Sequence, residues 1–457
     1  MKRPLMIVAV VAGFALSLSA RTVWAQEDPY EFLHGYVPST NAEEDAQRRA
    51  FEESVLPVEL TGAWYKAVDL ARAEEKAHPG NPGGPFAEGV GLLYDGDLEG
   101  AQAAWKPLRE SAPSLVGKID WFEGQISRIR ANFPDLKLKP FALKENDQQH
   151  NLRQYRDKSE GLLKDKKYDE IERTAKELQK PDASDVLGTP FLDVFFEGLS
   201  AVDGGFVARQ AQLAAWQKAQ PKSALARLAA AKMWVSEAAQ RRGSGYAYTI
   251  TPEMQAKMNE ALEHAAKAVT TLPPSASESP LIIRVLLDFG RLAGMERAQM
   301  DGIAAQGMKQ FPWYQTTYQL QSVNLMPKWY GGPGETKALI EKRAKQIGGD
   351  EGDIFYAQLV ETLLDQDDNV WKNLGLSYPR FQHGMRLLAA RNPNSLALRN
   401  TALQGAIQQN DTSIIKAYFA APDGEILDYR WYRYPLYISQ ARLTGLASGE
   451  PASPSVP

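Results

Sequence analysis

Gly331, Gly332, Pro333 and Gly334 stand directly before Glu335-Thr336-Lys337 and a stretch with helical spacing. Glycine backbone beside a lysine is the raw material of a phosphate cradle. Such a cradle needs Gly-x-x-x-x-Gly-Lys-Ser/Thr after a strand, so that successive N–H groups wrap the phosphates and the lysine reaches them. Here the order is Gly-Glu-Thr-Lys and no strand pattern precedes it. The same residues make a good helix start, with Gly332 at the N-cap, Pro333 at N1, Glu335 at N3 and Glu341 paired with Lys345 one turn further on. The spacing favours a turn over a phosphate site.

The other chemistries fail on spacing. The acidic runs beginning at Asp95 and Asp365 have oxygens in the first positions of a calcium loop. The second puts Val370 where the loop needs glycine and Leu376 where it needs a bidentate glutamate; the first ends in Lys106. His34, His78, His150, His264 and His383 are far apart, with no His-x-x-x-His pair to set two imidazoles on one helix face. They are expected to be ordinary surface or helix-end residues, and no metal or cofactor is expected. The Gly243–Gly245 run lacks the strand-to-helix context of a nucleophile elbow. With 56 acidic residues, a glycosidase-like carboxylate pair is too easily made by chance to be informative. There is no cysteine, so thiol chemistry and disulfides are excluded.

Aromatic clusters are the remaining candidates. Phe311, Trp313, Tyr314 and Tyr318 form one, Trp329 and Tyr330 a second, and Tyr429, Arg430, Trp431, Tyr432, Arg433, Tyr434 and Tyr437 a third. Large rings fill gaps between helices, and rings with arginine also anchor peptide or protein interfaces. Trp329 is expected in the core. Tyr429, Arg430, Trp431, Arg433 and Tyr434 are the candidate partner-binding residues.

The elements that must position these residues are helices. Almost every window past residue 40 has apolar residues at helical spacing, and strand alternation is rare. The helices come in hairpins. In the clearest, Gly89 permits close approach, Gly96-Asp97 turns the chain, Ala101 packs close, Trp105 fills the groove and Pro113 ends the second helix. These positions resemble the tetratricopeptide repeat. Looser copies turn at 165–168, at Gly294 and at Asn410-Asp411, and close at Pro181, Pro312 and Pro422. The expected fold is all-α, a degenerate αα-hairpin, tetratricopeptide-like repeat solenoid.

A second resemblance rests on Leu325, Pro327, Lys328, Trp329, Gly331 and Gly332, with Trp234, Arg242 and Gly243 upstream and the hairpin around 161–180 before them. Together these resemble the bacterial domain of unknown function 4034 family over roughly residues 150–420. The resemblance implies an α-helical repeat fold and no assigned activity. Pro327, Lys328, Trp329, Gly331 and Gly332 are read as its structural motif.

The chain has 457 residues, 44% hydrophobic and 24% charged, enough to bury a real core. Lys2 and Arg3, an apolar run over 5–20 and Val23-Trp24-Ala25 read as a cleavable signal peptide of residues 1–25. The apolar run is shorter than the ~20 residues of a membrane span. Removing Lys2, Arg3 and Arg21 leaves 52 − 3 = 49 basic against 56 acidic residues, net −7, which gives no footprint for nucleic acid. The segments that follow are an N-terminal helical unit over 26–131, a linker over 132–151, a repeat domain over 152–445 and a Pro- and Ser-rich disordered tail over 446–457. The expectation is a periplasmic or secreted protein of a Gram-negative bacterium, a scaffold for a protein or peptide of the envelope without catalysis. The alternative is an envelope enzyme or glycan-binding protein.

Overall fold

In the computed structural model, residues 64–132, 142–420 and 426–428 are described, apart from 96, 145, 203–204, 243–249 and 368, together with part of 41–55. The expected signal peptide, the expected tail and all five candidate partner-binding residues lie outside them. The chain divides into two units, one of residues 26–146, 244–250 and 409–457, the other of 147–243 and 251–408.

The N-terminal part of the first unit holds helices α1 (Trp64–Ala77), α2 (Gly83–Asp95), α3 (Leu98–Trp105), α4 (Leu108–Ser111) and α5 (Val116–Asn132), then a strand, β1 (Ala142–Lys144). The close approach expected at Gly89 is present: a Cβ there would overlap the Trp105 indole. Trp105 is fully buried, donates its indole N–H to the Phe86 carbonyl at 3.1 Å and stacks on Phe122 at 5.3 Å. Asp97 caps α3 by accepting from the Gly100 N–H at 2.8 Å.

The second unit runs through α6 (Asp147–Lys164), α7 (Tyr168–Glu177), α8 (Phe191–Ser200), α9 (Phe206–Ala219), α10 (Ala224–Arg242), α11 (Pro252–Thr270), α12 (Leu281–Ala293), α13 (Arg297–Gln310), α14 (Gln315–Asn324), α15 (Glu335–Ile347), α16 (Gly349–Leu364), α17 (Val370–Asn373), α18 (Tyr378–Arg391) and α19 (Leu396–Gln409, whose last residue belongs to the first unit). Its most extensive pairing is α10 on α11, where Ala226, Ala229, Ala238, Ala261 and Ala265 are buried. Small side chains let the two axes come close and leave room for Leu, Phe and Trp from neighbouring helices. Thr251 caps α11 through the Met254 N–H, and Pro252 occupies its first turn. Gly294 ends α12 at φ 69°, a left-handed position where glycine has no Cβ penalty.

The chain then returns to the first unit with α20 (Thr412–Ala420) and β2 (Ile426–Asp428). β2 pairs in parallel with β1, Ala142 against Ile426 and Lys144 against Asp428. The architecture is all-α, with this three-residue strand pair as its one sheet among the described residues.

Three local expectations shift. The described part of 132–151 contains β1 and the first turn of α6, and the unit boundary falls at Asp147. The described residues 409–420 and 426–428, expected with the repeat body, group with the N-terminal unit, and the β1–β2 pair explains why. Finally, α15 starts at Glu335 with Gly334 as N-cap at φ 79°, two residues later than the Gly332 and Pro333 reading. The left-handed Gly334 finishes the turn before helical geometry begins, and Glu341 pairs back to Lys337 at 3.8 Å.

Candidate functional site

The glycine loop is stitched from inside. After α14 the chain reverses through N–H bonds from Trp329 to the Met326 carbonyl (2.9 Å), from Tyr330 to that of Asn324 (3.1 Å) and from Gly331 to that of Met326 (3.2 Å). A Cβ on Gly331 would overlap the Leu325 carbonyl, so glycine is required there, whereas at Gly332 a Cβ meets only Glu335 at 3.7 Å. The Gly332 N–H donates to the Glu335 carboxylate at 2.8 Å. Arg297, first residue of α13, donates to the Tyr330 carbonyl (2.7 Å), to Glu335 (3.0 Å) and to Asp301 (2.7 Å). The Gly332 N–H bond and Arg297 hold the Glu335 carboxyl below its usual range. The amides of Gly331 and Gly332 are therefore committed within the loop, and a phosphate has no claim on them. Pro327 and Lys328 are exposed, Lys328 donating to the Gln366 carbonyl, and Trp329 packs half-buried against the core.

At the C-terminal end of α15 lies an open cleft of about 520 Å³ lined by Glu341, Ala344, Lys345, Gly348, Gly349, Asp350, Asp353 and Arg380. Gly348 and Gly349 have φ of 77° and 54°, which lets α16 begin directly after α15. Asp353 receives Arg380 Nε on one oxygen at 2.6 Å and faces His383 Nδ1 from the other at 3.0 Å. Burial pushes Asp353 upward, but the bonds from Arg380 and His383 outweigh it and hold the carboxyl below its usual range. The Arg380 guanidinium lies 4.8 Å from the centroid of Tyr356, whose hydroxyl accepts from the Ser377 N–H at 2.7 Å and is pushed up to about 12 by burial. His383 was expected to be an ordinary surface residue; its partner emerges only when α16 packs on α18. The signal available in the chain was Arg380 and His383 three apart, on one face of a helix.

Deeper in the same unit, charges from three helices meet. Arg284 of α12 contacts Asp193 (3.3 Å) and Glu197 of α8 and lies 3.8 Å from Asp288, which receives Lys232 of α10 at 2.7 Å. Asp193 also accepts from the hydroxyl of Tyr314, just before α14, and from that of Thr316 in α14. Burial raises the Asp193 carboxyl against the pull of Arg284, and burial with Asp193 raises Tyr314 well above its ordinary value. Asp288 stays below the usual carboxylate range because Lys232, Arg291 and Arg284 outweigh its burial. Phe311, Tyr314 and Tyr318 of the first aromatic cluster are buried, so those rings are core. Among the described residues no group of three His, Asp or Glu side chains is placed to hold a metal ion, and no helix is long and apolar enough to cross a membrane.

Fold and site together define an all-α protein whose helix pairs enclose an ionic core and present a polar cleft. Residues 156–291 match the family model described as Domain of unknown function (DUF4034). The match runs from the second half of α6 through to Arg291 near the end of α12, including Trp234 and Arg242, and ends before Leu325. The 325–332 loop, on which part of the resemblance rested, lies outside it. No curated protein and no solved structure matches the chain.

Proposed function

We propose that the chain is an exported, tetratricopeptide-like helical scaffold that binds a protein or peptide of the Gram-negative envelope and carries out no catalysis. The observation that supports it best is the cleft between α15, α16 and α18: it is open, and charges of both signs line it. An extended polypeptide offers such a cleft backbone groups and charged side chains, whereas a small substrate needs an enclosed, largely apolar pocket. On this reading the signal peptide is cut near Ala25, the mature protein acts in the periplasm or outside the cell, and Tyr429, Arg430, Trp431, Arg433 and Tyr434 add aromatic anchors to the binding surface.

A second reading, an envelope enzyme or glycan-binding protein, is favoured by the His383–Asp353 contact at the edge of the cleft. A carboxylate on Nδ1 orients an imidazole to accept a proton at Nε2. In-cell crosslinking of the tagged protein followed by mass spectrometry separates the two. A discrete protein captured by the wild type and lost with Lys345→Glu or with Trp431→Ala/Arg433→Ala supports the scaffold. Capture unchanged in both variants sinks it, and muropeptide turnover abolished by His383→Ala would establish the enzyme.

A further inference from the structure

The second unit holds two apolar cores. One is built from residues between Leu162 and Tyr314, the other from residues between Tyr318 and Leu398 together with Leu187. Helix α14 lies where they meet, packed on α12 and α13 of the first and on α15 and α16 of the second. An apolar helix would join two such cores best, yet the buried residues of α14 include Thr316, Thr317, Gln321, Ser322 and Asn324. Gln315 Nε2, Thr317 Oγ1, Gln321 Oε1 and Ser322 Oγ are buried with no hydrogen-bond partner. Each such atom is a cost to the closed fold that disappears when water reaches it.

Polar contacts also cross from the first half to the second. Arg297 of α13 reaches the Tyr330 carbonyl and Glu335, Arg343 of α15 donates to the Pro312 carbonyl at 2.8 Å, and Asp147 accepts from Ser395 Oγ at 2.7 Å and the Ala397 N–H at 3.0 Å. Contacts of this kind exchange one partner for water, so an interface built from them parts more easily than a packed core. Leu187 is the apolar crossing. It belongs to the turn before α8, yet it is fully buried in the second core, with Val186 and Met308 half-buried against the same core. The turn is clamped on both sides of it: Gln358 of α16 donates to the Val186 carbonyl at 3.1 Å, and Asp185 accepts from the Leu187 and Thr189 N–H groups at 2.8 Å.

We propose that residues 147–314 and 325–408 are two halves that part along α14, the hinge, and that Leu187 is the latch that holds them closed. Withdrawing Leu187 exposes one apolar side chain and lets water reach the four unpaired atoms of α14, while both cores stay packed. Every residue lining the cleft lies in the second half, so the motion carries the cleft intact. The hinge is independent of what the cleft binds.

Hydrogen exchange of the full chain, read by mass spectrometry and corrected for intrinsic rates, tests this, because an opening between the cores exposes α14 without unfolding α12 or α16. The α14 amides are expected to exchange at least about tenfold faster than those of α12 and α16. Leu187→Ala should speed α14 exchange by about tenfold or more, the scale of a large-to-small core change. Thr317→Val, which puts a methyl group in place of an unpaired hydroxyl, should slow it several-fold. Leu262→Ala, in the first core on α11, should speed α12 exchange through global unfolding and leave α14 unchanged. Exchange of α14 at the rate of α12 and α16, or equal acceleration of α14 and α12 by Leu262→Ala, would show that the unit opens only as a whole and overturns the hinge. An α14 rate unmoved by Leu187→Ala overturns the latch.

Discussion

At Gly331 and Gly332 two neighbouring glycines of one sequence run have different jobs. Only Gly331 touches a backbone carbonyl so closely that a methyl group cannot enter. Gly331→Ala should therefore cost about 2–4 kcal/mol in urea unfolding, the range of overpacking and strained-backbone changes, with Gly332→Ala near zero. Equal losses at both positions would mean that the loop is held otherwise. Asp185 allows a pH test. It is buried in the turn before α8, accepts from Gln148 at 2.6 Å and from the Leu187 and Thr189 N–H groups at 2.8 Å, and burial pushes it from 3.8 up to about 6. The folded chain thus holds this proton more tightly than the unfolded chain. The contribution of this group to stability is greatest below about pH 4, falls as pH rises to about 6 and stays lower above it, by about 3 kcal/mol. Asp185→Asn should remove that part of the slope in urea titrations run across this window. An unchanged slope would show that Asp185 titrates normally.

Among the elements, what was legible in the sequence was what is local. The close pair Gly89 and Trp105 and the turns at Gly294 and Asn410 follow from sterics within one hairpin, and the helices meet there. Trp105→Ala should cost about 3–5 kcal/mol, because a fully buried indole leaves a cavity; a loss near zero would contradict the packing of the first unit. The ten residues of α14, QTTYQLQSVN, illustrate what could not be read. Their polarity suggests a surface helix, yet Thr316, Thr317, Tyr318, Gln321, Ser322 and Asn324 are buried. Tyr314, just before the helix, and Thr316 serve Asp193, more than a hundred residues upstream. Such partners are set by tertiary packing, which overrides propensity. The cleft was hidden for the same reason, since Asp353, Arg380 and His383 meet only through the packing of α16 on α18. Arg297, which joins α13 to the Tyr330–Glu335 loop, belongs with them. Arg297→Ala is expected to leave helical circular dichroism intact while speeding proteolysis within 328–334. Unaltered cleavage would remove its pinning role.

At the scale of the molecule, one unit is built from both ends of the described chain and the other from its middle. A chain ending at 408 should keep the cooperative melting of the 147–408 body while losing that of the helices around Trp105. Native-like Trp105 fluorescence in that truncation would show that the N-terminal segment folds alone. The strand pair Ala142–Lys144 with Ile426–Asp428 also orders events in time. Synthesis delivers the N-terminal segment first, and its partner strand emerges only after the entire intervening body. Closing so long a loop is slow but thermodynamically cheap. The first segment to arrive is thus the last to be completed, and any chain that stops before Ile426 presents β1 as an open edge to chaperones and proteases.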